Sequence, residues 1–429
     1  MVVTRKPIPV GQAVERVMNV SKKGETEWVP LEQSLHRHLA ETIIADHDIP
    51  AFDRSPYDGF AIRAEDSIHA SKENPLTFHV VDHIGAGSVS EKKIGRYEAV
   101  RIMTGAKIPD GADTIVMLEL ANVISENGNE RIELKRPFYS GDNISKKGED
   151  TAEGEKLIPA GTVIDSGVIA LLATFGYAAV NVVKKPKIGI IATGTELLDI
   201  SDPLEPGKIR NSNASMIYAQ IQEAGGEPLN LGKMADHFDS CYEAVKKAID
   251  KVDFLITTGG VSVGDFDFLP AIYERLGANV LFNKVGMRPG SVTTVAEYKG
   301  KLLFGLSGNP SACFVGFELF VKPVIKNWLL SDKPYSLYHQ ATLSKDFLKA
   351  NPFTRFVRSS VSSENGKLFV DPVGLDKSSS VISLASTNAL LVLPGGTKGY
   401  QKGDQVIVLM IKEERGCEWP WDSILLSSK

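Results

Sequence analysis

KIGIIATGTEL (187–197), VDFLITTGGVSVGDFD (252–267) and KLLFGLSGNPSA (301–312) share one design. Each begins with an apolar run short enough for a buried strand, continues into a turn of glycines and hydroxyls, and leads toward a helical stretch. Two more helical stretches lie between them. SNASMIYAQIQEAGG (212–226) carries Ile217, Ile221 and Ala224 on one face, with Gly225 as its stop, and SCYEAVKKAI (240–249) follows Asp239, which is placed to cap it. Buried strands alternating with helices predict a parallel, doubly wound α/β sheet. The three turns then lie together at the carboxyl ends of the strands, the edge where open α/β folds bind ligands. Glycine lets backbone N–H groups approach a ligand, and a following helix start favours an anion, so a phosphate-bearing ligand is expected. Any one turn alone is explained by strand-to-helix geometry; three in one sheet point to a site. None is a Walker A motif and no Gly-x-Gly-x-x-Gly opens a helix, which disfavours a conventional ATPase or dinucleotide dehydrogenase.

Acids accompany the glycines. Glu196 follows the first turn, Asp265 and Asp267 close the second, and Asp236 ends the run GEPLNLGKMAD. Carboxylates beside phosphate-cradling turns suit Mg²⁺, which takes one or two carboxylates plus phosphate oxygens. An isolated aspartate equally suits a helix cap, Asp265 above all. MRPGSV (287–292) offers Arg288, and Ser307, Ser311, Arg355 and Ser386 are further oxyanion donors, although Arg355 taken alone reads as a surface charge. The eight histidines show no metal-ligand spacing.

Outward from the sheet the chain changes character. Val10, Val14, Val17 and Met18 repeat at helical spacing, as do Leu31, Leu35 and Leu39. A proline-marked, acid-rich segment follows, DHDIPAFDRSPYDGFAIR (46–63), and then short strands, VRIM (100–103), TIVML (114–118) and RIEL (131–134). DSGVIALLATFG (165–176) predicts a short capped helix. After about 335 the pattern returns to β, with Asn365-Gly366 as a hairpin signal and ALLVLPGG and DQVIVLMI as paired strands. A length of 429 residues suits about three domains. The 48 Lys and Arg against 53 Asp and Glu leave a net charge of −5, which argues against a nucleic-acid binder. Cys241, Cys313 and Cys417 form no Cys-x-x-Cys pair, so a zinc ribbon or a disulfide framework is not expected. No apolar run reaches membrane-spanning length and no signal peptide is visible, so a cytoplasmic protein without membrane contact is expected.

Eight segments in order, PAFDRSPYDGFAIR, RIMTGAKIPDGAD, GDNISKKGED, ATGTEL, TTGGVSVGDFD, MRPGSV, GLSGNPSA and STNALLVLP, resemble the MoeA family and are similar to the gephyrin E domain. The resemblance spans roughly residues 5–412. It implies a multidomain fold: an elongated linking domain (1–50 and 141–183), a β-rich insert domain (51–140), a central doubly wound α/β molybdopterin-binding domain (184–332), a C-terminal β-barrel (333–412) and a tail (413–429). It implies a homodimer that inserts molybdate into adenylylated molybdopterin and releases AMP with Mg²⁺. Implied partners beyond the pterin substrate are the adenylyltransferase that makes it and the molybdoenzymes or chaperones that receive the product. By motif, the catalytic set falls on Asp58, Thr104, Asp150, Glu196, Asp236 and Asp267, with Asp236, Asp267 and Glu196 as metal ligands. Substrate binding falls on Gly194, Thr195, Gly259, Gly260, Ser262, Gly264, Arg288, Pro289, Gly290, Ser307, Gly308, Asn309, Pro310, Arg355 and Ser386. This chain departs from the family pattern at Tyr57, where methionine is usual, at Arg288 and Ser291, where lysines are usual, and at Ser307, where proline is usual. Two other classes compete: the adenylyltransferase, which shares the α/β domain but not its flanking domains, and a non-enzymatic carrier or scaffold, against which the intact acidic set speaks.

Overall fold

The computed structural model describes residues 6–126, 128–234, 237–260, 268–350 and 352–412. The chain divides into two compact units, one of Glu41–Ala160 with Ser166–Ala178, and one of the remaining segments.

The larger unit is built on a six-stranded sheet. Its order is Glu227–Met234, Lys187–Thr193, Phe254–Thr258, Lys301–Leu306, Thr294–Tyr298 and Asn279–Phe282. The first four strands are parallel; Thr294–Tyr298 runs against them, antiparallel to both Lys301–Leu306 and Asn279–Phe282. The expected all-parallel sheet is therefore corrected at one edge. Lys299 and Gly300, at φ 51° and 76°, form a tight reversal between Tyr298 and Lys301, which pair directly, so no crossover helix intervenes. Side-chain alternation buries both faces of the sheet. Ile188, Ile190, Ile256 and Phe304 pack with Val17 of the Val10–Val20 helix, Ile217 and Ile221 of the Ser212–Ala224 helix, and the 310–328 helical segment. Ile191, Leu255 and Leu303 face the opposite way, against Val245, Ile249 and Ile272 of the Phe238–Ile249 and Leu269–Leu276 helices. Gly225 ends its helix in the left-handed conformation, as the sequence predicts, with its N–H on the carbonyls of Gln222 and Ile221. Asp239 does not cap: His237 holds the cap position, and Asp239 sits in the first turn, 2.6 Å from Arg275.

Five strands close a C-terminal barrel: Thr354–Glu364, Lys367–Pro372, Tyr338–Leu343, Gln405–Met410 and Ala389–Leu393, the last pairing back with the first. Asn365 and Gly366, both at positive φ, make the predicted hairpin turn. A short strand of the α/β region, Met287–Arg288, adds to the barrel alongside Thr354–Glu364.

The helical spacing of Leu31, Leu35 and Leu39 does not become a helix. Only Leu31–Gln33 turns, His36 at φ 62° breaks the run, and Leu39 is buried through a backbone bond to Thr162 and a bridge to Val182. His36 and His38 therefore lie on no helix.

The smaller unit holds a six-stranded mixed sheet with strands from Gly59–Ile62 to Asn129–Leu134, and packs cores around Phe60, Phe78 and Phe138 on one face and Ala61, Val100 and Ile115 on the other. The Ser166–Thr174 helix belongs to this unit. Among the described residues no helix is long and apolar enough to cross a membrane.

Candidate functional site

The three glycine turns meet in space. Thr193 Oγ1 donates to the Thr258 carbonyl at 3.1 Å, and Gly259 N–H donates to the Leu306 carbonyl at 3.0 Å. Gly259, at φ +87°, lies so close that a Cβ there would stand 2.6 Å from Thr193 Oγ1, and a Cβ on Gly308 would touch Gly259 at 3.5 Å. No side chain fits at Gly259, which is the physical reason for glycine in that turn. Gly260 is likewise left-handed. Gly194 is pressed by its own neighbour: a Cβ would meet Glu196 Oε2 at 2.4 Å, so the Glu196 carboxylate folds back over the turn, while the Thr195 carbonyl accepts from Lys208 Nζ.

Two cavities flank the turn at residues 307–310, and Asn309 lines both. The first, about 420 Å³, is bounded by Arg288, Pro289, Gly290, Ser307, Arg355, Arg358, Asp376 and Lys377. The second, about 380 Å³, is bounded by Thr193, Glu196, Asn211, Asn213, Thr258, Gly308, Pro310, Ser379 and Val381.

The first cavity is cationic because of strand register. Pairing of Met287–Arg288 with the barrel sets Arg288 directly beside Arg355. Like charges in adjacent register repel, so this arrangement favours an anion. Arg358, only 3% exposed, donates through Nε to Ser383 Oγ at 2.8 Å and through Nη2 to the Leu375 carbonyl at 2.6 Å. Burial lowers the Arg358 pKa from its ordinary range and Asp376 draws it back up. Four cations and one carboxylate around a small polar space suit a tetrahedral oxyanion dianion. Arg358, Asp376 and Lys377 were not singled out from the sequence; the available signal was an arginine inside the otherwise apolar and hydroxyl run FVRSSV.

The second cavity differs in kind. Its floor is the start of the Ser212–Ala224 helix, where Asn211 Oδ1 accepts from Ala214 N–H at 3.2 Å. Asn213, 8% exposed, donates through Nδ2 to the Gly308 carbonyl at 2.8 Å and so ties this helix to the turn. Among the described residues Glu196 is its one acid, and Arg210 lines it as well.

Other expected residues fall elsewhere. Ser307 Oγ accepts from Asn309 N–H at 3.2 Å at the cavity wall. Ser311 is buried, its hydroxyl given to the Ser380 carbonyl at 2.6 Å, and is not a free oxyanion donor. Ser386 lines neither cavity; it is exposed, and its hydroxyl donates to the Ser383 carbonyl at 3.3 Å. Asp236, Ser262, Gly264, Asp265 and Asp267 lie outside the described residues. Among the described residues no three His, Cys, Asp or Glu side chains converge on a metal position.

Within the smaller unit, Asp58 accepts from Thr104 twice, from N–H at 2.7 Å and from Oγ1 at 2.8 Å. The Thr104 N–H first, then its hydroxyl, hold the Asp58 carboxyl below the usual carboxylate range. Thr104 borders a cavity of about 530 Å³ with Arg54, Tyr57, Asn143, Ser145 and Glu149. Asp150 is exposed, its N–H on the Ile49 carbonyl, and lies outside that lining.

Comparison with known proteins finds relatives along nearly the whole chain. Family models match in three consecutive parts: the MoeA N-terminal region (domain I and II) over residues 8–176, a probable molybdopterin binding domain over 189–327, and the MoeA C-terminal region (domain IV) over 340–411. The chain is 66% identical over 429 residues to a molybdopterin molybdenumtransferase of Bacillus subtilis (strain 168), covering 100% of both chains. It is 51% identical over 410 residues to one from Staphylococcus aureus (strain MSSA476), covering 96% of this chain and 97% of the other. The crystal structure of a molybdopterin biosynthesis MoeA protein from Pyrococcus horikosii is similar with a TM-score of 0.84 at 30% identity, covering 95% of this chain and 100% of that one.

Proposed function

The chain belongs to the MoeA family, and from that premise we propose that it is a molybdopterin molybdenumtransferase, inserting molybdate into adenylylated molybdopterin and releasing AMP. The observation that carries the reading is the cationic cavity at the seam of the α/β sheet and the barrel, next to the converged glycine turns. Molybdate is a tetrahedral dianion, and Arg288, Arg355 and Arg358 offer forked donors for its oxygens. The neighbouring cavity, which lies at the start of the Ser212–Ala224 helix and is lined by Arg210, Asn211, Ser212 and Asn213, suits the phosphates of the adenylylated pterin. Asn309, on both walls, then stands between the dithiolene that accepts the metal and the phosphoanhydride that is cleaved.

Cleavage of a phosphoanhydride depends on positioning and on neutralising charge at its oxygens. The residues that would hold Mg²⁺ are the exposed Glu196 carboxylate, which shares its cavity with Thr193 and Thr258, and Asp236 and Asp267 as the further candidates. When bound, it supplies positive charge at the phosphate oxygens. The protein's own part is to hold the phosphates at the glycine turns and the oxyanion at the arginines.

The working form in this reading is a cytoplasmic homodimer in which Asp58, Thr104 and Asp150 of a second copy serve the same reaction. Mixing Asp58→Ala subunits with Glu196→Ala subunits restores activity if sites are shared, and leaves both silent if they are not. The reading as a whole is tested by incubating the full chain with adenylylated molybdopterin, Mg²⁺ and molybdate. AMP release that requires molybdate, without ATP consumption, is expected; no AMP release, or consumption of ATP with free molybdopterin, contradicts it.

A further inference from the structure

Among the described residues the cationic cavity contains one acid, Asp376, and the fold fixes it there. Asp376 is mostly buried, and its Oδ2 takes two cations at once: Arg355 Nη2 inside the cavity and Lys349 Nζ at 3.2 Å. Lys349 is 58% exposed and outside the cavity lining. The loop that carries Asp376 is held on both sides. Arg358 Nη2 binds the Leu375 carbonyl at 2.6 Å, and the buried Ser311 binds the Ser378 carbonyl through N–H at 3.0 Å and the Ser380 carbonyl through Oγ at 2.6 Å. The carboxylate is therefore a fixed part of the wall. Arg355, in turn, is only partly satisfied: its Nε is buried with no hydrogen-bond partner. A guanidinium grips a tetrahedral oxyanion through two adjacent N–H groups, so Arg355 carries unused capacity on the side chain that Asp376 restrains.

We propose that Asp376 and Lys349 form an exchange pair that sets the oxyanion affinity of the cavity. Asp376 competes with the incoming anion for Arg355, and Lys349 keeps the Asp376 charge compensated once Arg355 turns to the anion. The inference rests on the cavity being the molybdate site. Both are positioning residues that act through Arg355. The consequence is an affinity held below what three arginines alone would give, which favours passing the anion onward over retaining it.

The test is calorimetric titration of the full chain with molybdate, and separately with sulfate, for the wild type, Asp376→Asn, Lys349→Ala, Lys349→Arg and the Asp376→Asn/Lys349→Ala double variant. Removing a fixed negative charge a few ångströms from a dianion tightens binding on the order of tenfold. Lys349→Ala weakens it several-fold, Lys349→Arg restores it, and the Lys349→Ala loss disappears in the Asp376→Asn background. An equal loss in both backgrounds makes Lys349 a distant charge only and overturns the exchange. Unchanged or weaker binding by a folded Asp376→Asn also overturns it, since Asp376 would then merely prop Arg355. If Asp376→Asn does not fold, the Lys349 variants, changed at an exposed side chain, still decide: no loss with alanine, or no rescue with arginine, contradicts the pair. Failure of wild type to bind either anion overturns the site reading as well, whereas wild-type binding without the predicted variant pattern overturns the exchange alone.

Discussion

The two cavities that flank residues 307–310 share Asn309, yet they are made by different means. The cationic one is assembled across distance in sequence: Arg288 comes from the α/β region, Arg355 and Arg358 from the barrel, and strand register brings the first two side by side. The other, lined by both Glu196 and Arg210, is nearly all α/β edge, made of turns that follow their own strands, with Ser379 and Val381 as its barrel contribution. The arginines thus gather where the α/β region and the barrel meet, and the mixed, mostly neutral lining gathers at the α/β edge. On this view the first cavity reads an oxyanion and the second holds phosphates.

The most damaging challenge to that division is Arg358→Ala. It removes a buried cation and leaves the Ser383 hydroxyl and the Leu375 carbonyl without their donor, at about 1–3 kcal/mol for each buried polar group stranded. Molybdate affinity should fall by more than a hundredfold and the melting temperature by several degrees; titration and thermal melts read both. Glu196→Gln sharpens the contrast: AMP release should fall on the order of a hundredfold while the molybdate dissociation constant stays within about twofold, as single electrostatic groups at phosphoryl sites behave. A large loss of molybdate affinity in that variant would merge the two cavities into one. Gly259→Ala forces a Cβ to 2.6 Å from Thr193 Oγ1 at φ +87°, and should cost about 1–3 kcal/mol in denaturant melts, lowering anion binding and AMP release together. Ser386→Ala should do least, under about twofold on either function, because Ser386 borders neither cavity. A strong defect there would side with the family motif over the geometry.

Much of the α/β edge was legible because its signals are local. An apolar run such as KIGIIAT declares a buried strand, and Gly194, Gly259 and Gly308 declare a turn wherever the chain goes next. The convergence of those turns follows from the strand order, which the alternation of strands and helices already implied. The cationic cavity was only half legible. Arg288 and Arg355 stood out as candidate oxyanion donors, but nothing local to either says that they are neighbours; that fact is a register between a two-residue strand and barrel residues 67 positions later. Arg358 and Asp376 were invisible for the same reason, since an arginine in a strand and an aspartate in a loop look solvated until the partners are known. Leu31, Leu35 and Leu39 show the converse failure, in which helical spacing is overridden by strand-like bonds of Leu39 to Thr162. Ser386 shows that a motif serine and a site serine need not coincide.

The division of labour is tested most directly by soaking crystals of the full chain in molybdate and collecting anomalous scattering at the molybdenum edge. The molybdenum peak should lie among Arg288, Arg355 and Arg358. A peak against Glu196 and Asn213, with none at the arginines, would contradict it.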